Sequence, residues 1–485
     1  MNKGTIDSLS YAVRPRVVLK YFGQFCFVAG VLTSVSLMVA LLSGELDIGL
    51  RYTVIVVTLL AAGYFLSRRD APQGIQINEA LVLTSLVFIV MPLLFTFALM
   101  GSKLGFIDAF FEAVSGVTTT GLSTLSSIDT KPASFLFTRA WLQWSGGLGI
   151  VVLTVALILG PGTAARQLVD FSYNDDLIGS TKLYARRILI VYVLLTVFGF
   201  FVILLTGVSP FSALLHCLTA ISTGGFSSSD QSLGAMRGWW PPAAITVVSV
   251  MGAIPLALYY KSFRHGFMTI LKDIQFRALL ILSATSTVLL WFFMTYGPGD
   301  IPPDTAGHAI TMALSAQTTS GFSTLAVSDL GPAAKLVMIL SMLIGGGIGS
   351  TAGGIKLLRI LILLRVLNLT FIGIGLSPHA VLTPQLNGHR LDEEEIDRAL
   401  LLIILFGLII FISWIPFVIL GYNPLDSLFE VVSATGTVGL STGITSSGLP
   451  VLLKTVLCAD MLMGRLEIIA LLTLFYPRTW LGRRV

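Results

Sequence analysis

The sequence predicts an all-α, polytopic membrane protein in which four pseudo-repeated units surround one axis, preceded by two extra N-terminal spans. Of the 485 residues, 55% are hydrophobic and only 11% are charged, whereas soluble domains carry about 25% charged residues. Long apolar runs alternate with short polar stretches, and one polar pattern returns four times. These observations exclude a soluble protein and favour a bundle of membrane spans.

Ten apolar segments are long enough to cross a bilayer, which requires about 20 mainly apolar residues. The first begins near Tyr21 and is too long to be the apolar part of a cleavable signal peptide. The eighth contains a glycine-rich interruption. The ten segments lie near 21–43, 51–67, 80–100, 136–160, 184–208, 241–260, 276–296, 332–368, 397–420 and 448–476.

The distribution of Lys and Arg predicts the side that each loop faces. Most of the 30 basic residues fall in one set of alternate loops, and both chain ends belong to this set. By the positive-inside rule this set is cytoplasmic, so both termini are expected in the cytoplasm. Basic cytoplasmic loops also explain the net charge of +5, which therefore gives no reason to expect nucleic-acid binding.

A ten-residue polar motif occurs four times, each time between two apolar segments. The copies read SGVTTTGLST (115–124), TAISTGGFSS (219–228), SAQTTSGFST (315–324) and SATGTVGLST (433–442). A short apolar segment precedes each copy and is too short to cross a bilayer. Each unit is therefore predicted to contain a span, a re-entrant half-helix, an extended loop and a second span. The predicted domains are 1–70 (the N-terminal pair of spans), 71–165 (unit 1), 166–270 (unit 2), 271–380 (unit 3) and 381–485 (unit 4).

The residue types of this motif suit a path for a dehydrated cation. Non-helical backbone at membrane depth is tolerated only where it is buried in protein or lines a water-filled path. Backbone carbonyls of an extended loop can replace the hydration shell of a cation, and Gly permits the backbone angles that this requires. The simpler interpretation, turns outside the membrane, would suit a single copy better than four copies behind matching half-helices.

The four joined span–loop–span units resemble the Trk/Ktr/HKT superfamily of potassium transporters, and TVGL at 437–440 looks like the TVGYG loop of potassium channels. The extra N-terminal spans are similar to those of its TrkH/TrkG-type subunits. The resemblance implies potassium uptake across the bacterial inner membrane by a homodimer without a covalent cofactor. It also implies a cytoplasmic partner, a TrkA-like ring of regulatory subunits that supplies the only nucleotide site. The filter residues that it implies as potassium ligands are Thr119, Thr120, Gly121, Thr223, Gly224, Gly225, Thr319, Ser320, Gly321, Thr437, Val438 and Gly439.

The middle residue of the implied filter differs among the four copies. It is Thr120, Gly224, Ser320 or Val438, so the filter is only pseudo-fourfold, and we expect weaker discrimination than four identical loops would give. In plant relatives, Ser in place of the first Gly accompanies sodium preference. This chain has Gly in all four copies, which favours potassium.

A second glycine-rich stretch, GGGIGSTAGGIK at 345–356, interrupts the eighth predicted span. It formally matches G-x-G-x-x-A, but a dinucleotide site requires a preceding strand and a later acidic residue, and here a membrane span precedes it. Each Gly costs about 1 kcal/mol of helix stability relative to Ala. We interpret residues 345–354, the glycine loop, as a movable gate, which the family also has here; the alternative is a static kink for close helix packing. The residues assigned to gating are Gly345, Gly346, Gly347, Gly349, Gly353 and Gly354, together with Arg465.

Arg465 lies in the last predicted span with Asp460 and Glu467. Ionisable residues are costly in lipid and face the protein interior or a cavity. The resemblance places Arg465 in the pore below the filter, where its charge would repel cations and form a barrier together with the glycine loop. A salt bridge between units is the alternative, and the two roles are compatible.

Other function classes explain fewer of these features. A secondary transporter of another small solute fits the broken eighth span and Arg465 but not the four loops, and a sodium-permeable relative is a further alternative. An enzyme is not expected, because the sequence contains no nucleophile–base pair, and its Cys and His residues lack metal-ligand spacing. Glu112 and Glu430 occupy matching places in the first and fourth half-helices, where we expect them mainly to steady those helices.

Overall fold

The computed structural model describes residues 12–72, 74–158, 177–297, 303–375, 384–387 and 389–481. Its regular structure is helical except for a two-stranded hairpin, β1 (Gln385–Leu386) and β2 (His389–Arg390), so the predicted all-α class is confirmed. The predicted unit boundaries 165/166 and 380/381, and the last residues of the span predicted at 136–160, lie outside the described residues.

The helices follow the order span, short helix, span in each predicted unit. The N-terminal pair is α1 (Pro15–Leu42) and α2 (Leu46–Ser67). Unit 1 contains α3 (Ile77–Leu99), α4 (Phe106–Val117) and α5 (Ala133–Ile158). The region of unit 2 contains α6 (Leu177–Leu204), α7 (Pro210–Ile221), α8 (Trp240–Ala253), α9 (Leu256–His265) and α10 (Met268–Lys272). Unit 3 contains α11 (Ile274–Tyr296), α12 (Thr305–Gln317), α13 (Pro332–Leu343) and α14 (Leu357–Ile374). Unit 4 contains α15 (Glu393–Ile419), α16 (Pro424–Thr435), α17 (Val451–Arg465), α18 (Ile469–Phe475) and α19 (Pro477–Trp480).

Seven helices of the described residues are long and apolar enough to cross a membrane, and the bent pair α8–α9 would make an eighth. The seven lie in α1, α2, α3, α6, α11, α14 and α15. The chain is therefore a multi-pass membrane protein, but the ten predicted spans are not ten continuous helices.

The span predicted at 241–260 is not a continuous helix. Helices α8 and α9 meet at an angle of 88°, with Ile254 and Pro255 between them. Proline has no N–H for the helical ladder, and its ring clashes with the preceding turn. The apolar run hides this break, because composition does not distinguish a straight span from a bent one.

The span predicted at 448–476 is also interrupted. Helix α17 ends at Arg465, and Glu467 and Ile468 have positive φ angles of 53° and 63° before α18 begins. Because a β-branched residue rarely adopts positive φ, the interruption at Ile468 is a defined feature of the fold. The break expected in the eighth span is present, between α13 and α14.

The four short helices α4, α7, α12 and α16 lie at the centre of the bundle. Each has 12 or 13 residues, about 18–20 Å at 1.5 Å per residue, which is shorter than the ~30 Å apolar core of a bilayer. Their C-terminal halves are buried, whereas the long helices carry exposed apolar side chains, as expected for a surface that faces lipid.

Polar contacts join each predicted unit to the next and close the sequence of units into a ring. They include two ion pairs, with N–O distances of 2.8 Å for Lys335–Asp426 and 2.6 Å for Lys454–Asp108. The second pair joins unit 4 back to unit 1. The four contacts in order are Arg139 to the Ser227 carbonyl, Trp239 to Asp304, Lys335 to Asp426 and Lys454 to Asp108.

Candidate ion-conduction site

The four motif loops, residues 118–122, 222–226, 318–322 and 436–440, share one unusual backbone conformation. In each loop the Thr has a positive φ, and so does the Gly two residues later. The angles are 53°, 50°, 55° and 49° at Thr119, Thr223, Thr319 and Thr437, and 92°, 75°, 72° and 97° at Gly121, Gly225, Gly321 and Gly439. At the four Thr residues this conformation costs about 1–3 kcal/mol each and persists only where the surrounding structure imposes it. Its recurrence in all four loops indicates a functional constraint.

The motif loops abut one another in a closed ring. A Cβ atom added to any of the four glycines would collide with the carbonyl oxygen of the middle residue in the following unit. The distances are 2.3 Å from Gly121 to Gly224 O, 2.0 Å from Gly225 to Ser320 O, 2.0 Å from Gly321 to Val438 O, and 2.1 Å from Gly439 to Thr120 O. The last contact returns to unit 1, so the predicted filter residues of all four loops meet around one axis.

Each loop directs its backbone donors towards its own short helix. The N–H of the middle residue donates to a carbonyl five residues earlier, in an equivalent bond in every unit. The four bonds are Thr120 N to Ser115 O (2.9 Å), Gly224 N to Thr219 O (2.7 Å), Ser320 N to Ser315 O (2.9 Å) and Val438 N to Ser433 O (2.8 Å). The groups that each loop presents to its neighbours are therefore carbonyl oxygens, the acceptors a cation requires.

A side chain of each short helix holds the chain where it leaves the motif loop. In units 1 and 4 the fully buried Glu112 and Glu430 accept hydrogen bonds from Ser123 Oγ (2.6 Å) and Ser441 Oγ (2.7 Å). Arg139 lies 2.9 Å from Glu112 and balances its charge. In units 2 and 3 a histidine of the short helix contacts the chain at this place. The contacts are His216 to Ser227 Oγ (3.3 Å) and His308 to Thr324 Oγ1 (2.9 Å). The two histidines were not singled out in the sequence.

Gln143 of α5 supports the loop of unit 2, a role that no sequence motif indicates. Its Nε2 donates to Gly224 O (2.5 Å), and its Oε1 accepts from Phe226 N (3.1 Å). A Cβ on Gly224 would lie 2.4 Å from Gln143 Cδ. The glutamine thus occupies the space that a larger middle side chain would need, which explains why this copy alone has Gly there.

The base of the glycine loop is closed by backbone hydrogen bonds. Gly345 N donates to Ile355 O (3.0 Å), and Leu357 N donates to Gly346 O (3.1 Å). A Cβ on Gly345 would lie 1.8 Å from Gly353 O, so the two ends cross where only glycine fits. Gly349 and Gly354 have positive φ angles of 76° and 65°.

The C-terminal part of the glycine loop, residues 351–353, lies directly against the motif loops and the end of α7. Gly353 N donates to Thr319 Oγ1 (2.7 Å), and a Cβ on Gly353 would lie 2.1 Å from Thr437 Oγ1. Thr351 Oγ1 bonds to the carbonyl of Ile221, at the end of α7 (2.9 Å). The loop therefore contacts units 2, 3 and 4 where their short helices end, across the axis of the ring.

Arg465 fixes the glycine loop from the opposite side. Its Nη1 donates to Thr351 O (2.7 Å), and the side chain is buried, with no hydrogen-bond partner for Nε or Nη2 among the described residues. Lys356, also buried, donates to Ala352 O; the sequence did not single out this second cation beside the loop. Both cations therefore contact backbone carbonyls of the glycine loop.

The other two ionisable residues of the last predicted span have separate partners. Glu467 pairs with Arg359 of α14 at 2.5 Å. Asp460 accepts from Ser413 Oγ of α15 (2.6 Å), and so does not join Arg465 at the glycine loop. Within the described part of the chain, no three His, Cys, Asp or Glu residues form a metal-binding group. The oxygens grouped around the axis are carbonyls and Thr hydroxyls.

Comparison with known proteins agrees with this geometry. Residues 50–480 match the family described as TrkH, cation transport protein. The TrkH potassium uptake protein of Salmonella typhimurium is 31% identical over 77% of this chain and 79% of its own length. An uncharacterized cation transporter of Methanocaldococcus jannaschii is 29% identical over 94% of each chain.

A solved structure has the same fold over nearly the whole chain. The crystal structure of the potassium transporter TrkH from Vibrio parahaemolyticus matches with a TM-score of 0.84 and 26% identity, covering 96% of this chain and 100% of that one. The family consists of cation transporters and not of enzymes. With its match over residues 50–480, the chain belongs to the TrkH family of cation transport proteins.

Proposed function

We propose that this chain takes up potassium ions across the cytoplasmic membrane through the ring of motif loops, which acts as a selectivity filter. One observation carries the proposal: each filter glycine abuts the middle carbonyl of the next unit, around a complete circle. The similarity to Trk potassium uptake proteins at about 30% identity supports potassium as the ion.

The proposed path starts on the side where the chain leaves the four motif loops, and it ends at the glycine loop. An ion would lose water at the carbonyls of residues 119–121, 223–225, 319–321 and 437–439, which provide replacement oxygens. The C-terminal ends of the four short helices, which carry partial negative charge, lead directly into these loops. Transport needs no chemistry, because a negative cytoplasm supplies about 2.3 kcal/mol per charge per 100 mV.

We infer that the glycine loop and Arg465 close this path in the present conformation. Gly353 donates to Thr319 Oγ1 and abuts Thr437, and Arg465 donates to the carbonyl of Thr351. The buried positive charge of Arg465 beside the loop would repel a cation that approaches it. Opening then requires the loop to leave the motif loops and Arg465 to release it.

The sidedness, assembly and regulation of the chain are part of the same proposal. The basic loops favour cytoplasmic termini in the bacterial inner membrane or an equivalent plasma membrane. The resemblance to TrkH/TrkG-type subunits supports a homodimer and a cytoplasmic TrkA-like ring of nucleotide-binding subunits. The repeat units predicted at 71–165, 166–270, 271–380 and 381–485 would each contribute one quarter of the filter.

Rubidium and sodium flux into liposomes that contain the purified protein tests this proposal. We expect rubidium and potassium flux to exceed sodium flux, and Arg465→Ala to raise flux severalfold by removing the barrier. Arg398→Ala, which removes an exposed cation of α15, serves as the control and should leave flux unchanged. Absence of cation flux in both the wild type and Arg465→Ala would refute the proposal.

A further inference from the structure

The segment from Leu256 to Lys272, the interfacial hairpin, projects from the bundle where the chain enters the next span. It consists of α9 and α10, and α9 is turned by 88° from the axis of α8. Helix α11, a membrane-spanning helix, begins directly after it at Ile274. The hairpin is therefore held across the direction of the spans, at the level where α11 enters the membrane.

The hairpin tip carries large apolar side chains that no part of the described chain covers. Phe263, Phe267 and Met268 are 73%, 67% and 64% exposed. On the inner side, Leu256, Leu258 and Ile270 are buried and anchor the hairpin to the bundle. Exposed apolar side chains with cations beside them on a short helix are typical of a segment lying in the membrane interface.

The charges around the tip are predominantly positive. Within residues 256–277 the only acidic residue is Asp273, and it caps α11 by accepting from Gln275 N (2.9 Å) and Phe276 N (3.0 Å). Arg187 and Arg264 both lie over the ring of Tyr260, at 4.9 and 5.4 Å. The exposed basic residues of this face are Arg186, Arg264, His265, Lys272 and Arg277. Such a combination complements the anionic lipids of a cytoplasmic leaflet.

The hairpin is connected to the glycine loop through the break between α8 and α9. Gly347 N donates to Ala253 O (3.1 Å), and Leu256 N donates to Gly349 O (3.1 Å). A Cβ on Gly347 would lie 2.6 Å from Pro255 Cγ, so the two segments are closely packed at this contact. Displacement of α9 would therefore displace the glycine loop.

We propose that the interfacial hairpin binds anionic phospholipid headgroups through Arg264 and Lys272, and that this binding holds the glycine loop in its closed position. A ligand that binds one conformation more tightly shifts the population towards it. Anionic lipid bound to the hairpin in the conformation described here would keep the 253–256 break, and hence the loop, in place. The regulatory half of this inference rests on the proposed function; the lipid site does not.

The first test measures lipid retention without any transport assay. Purified protein is exchanged into mixed phosphatidylglycerol and phosphatidylcholine micelles, and the phosphatidylglycerol retained per chain is counted by native mass spectrometry. We expect the double variant Arg264→Gln/Lys272→Gln to retain severalfold less than the wild type. The matched control Arg390→Gln/Arg398→Gln removes the same charge from exposed positions of β2 and α15 and should retain as much as the wild type.

The second test measures rubidium flux from liposomes of phosphatidylcholine alone or with added phosphatidylglycerol. The wild type and the control should conduct less in the anionic vesicles, and the Arg264→Gln/Lys272→Gln variant should conduct severalfold more than the wild type there. Phe263→Ser/Phe267→Ser should weaken the same lipid dependence, because it removes the apolar contact.

The outcomes separate the two proposals. Equal phosphatidylglycerol retention by the wild type and the Arg264→Gln/Lys272→Gln variant would overturn the lipid site. Reduced retention with unchanged flux would overturn the regulation. Reduced retention with no flux from any protein in either lipid would support the lipid site and contradict the proposed conduction instead.

Discussion

Replacing Gln143 by Leu removes a side chain that supports the motif loop of unit 2. Gln143 itself belongs to α5 and not to the loop. Gln143 is fully buried and makes two hydrogen bonds, to Gly224 O and from Phe226 N, at 2.5 and 3.1 Å. Leucine has a similar size, so the change mainly deletes the amide. It leaves one carbonyl and one N–H of the loop without their partner.

The magnitude follows from those two orphaned groups. A buried donor or acceptor left unpaired costs about 1–3 kcal/mol, so the pair costs about 2–6 kcal/mol if the loop keeps its conformation. A tenfold change in relative affinity corresponds to only about 1.4 kcal/mol. Because the cost of the two unpaired groups is larger than this, we expect the loop to change its conformation. The ratio of potassium to sodium flux should then fall by about tenfold or more.

Two measurements test this effect. One is liposome flux of rubidium, used in place of potassium, and of sodium; the other is the thermal unfolding temperature in detergent. Gln231→Leu, at an exposed position of unit 2, is the matched control and should match the wild type in both. Gln143→Asn keeps the amide but shortens it by one methylene, and should give an intermediate ratio. A Gln143→Leu protein with wild-type selectivity and stability would refute the view that this side chain positions the loop.

Two further substitutions test the helix support and the glycine loop. Glu112→Gln leaves the buried Arg139 without a counter-charge and should lower the free energy of unfolding in denaturant by about 3–5 kcal/mol. The control Glu394→Gln breaks an exposed pair and should cost under about 1 kcal/mol. Equal losses in the two variants would contradict the argument from burial. Gly353→Ala places a Cβ 2.1 Å from Thr437 Oγ1, so it should displace the loop and raise rubidium flux severalfold. The control Gly407→Ala adds a Cβ in open space and should leave rubidium flux unchanged. Unchanged flux in Gly353→Ala would show that the loop does not close the path.

The repeated motif made the centre of the molecule predictable. Thr119 and Gly121, with their three counterparts, could be identified because the same residue types recur behind the same short apolar segment. The need for a break in the eighth span followed from glycine density. Both inferences depend on local composition, which a sequence displays directly.

Features that depend on contacts between units were not predictable in the same way. Nothing near Gln143 indicates that it serves a loop 81 residues later; the available signal was Gly224, the one middle residue without a side chain. His216 and His308 lack metal-ligand spacing, so neither stands out on its own. Superimposing the four copies would have placed His216 at the position of Glu112 and Glu430.

The bends in the second spans were missed for a physical reason. A window of apolar residues predicts burial in lipid, but it does not report whether the helical ladder continues. Pro255 was the visible signal for the bend after α8. At Glu467 and Ile468 the positive φ angles belong to residues that ordinarily avoid them, so the local residue types give no signal for that break.

The ratio of potassium to sodium flux in Gly121→Ser liposomes is the measurement to make first, in the Arg465→Ala background so that the path is open. A side chain at Gly121 would place its Cβ 2.3 Å from Gly224 O. Gly421→Ser is the control, because Gly421 also has a positive φ, of 84°, but nothing lies within 4 Å of an added Cβ. A ring of filter loops predicts that Gly121→Ser lowers the ratio while Gly421→Ser preserves it. Equal ratios in the two variants, both unchanged from the parent, would show that the four loops do not select the ion.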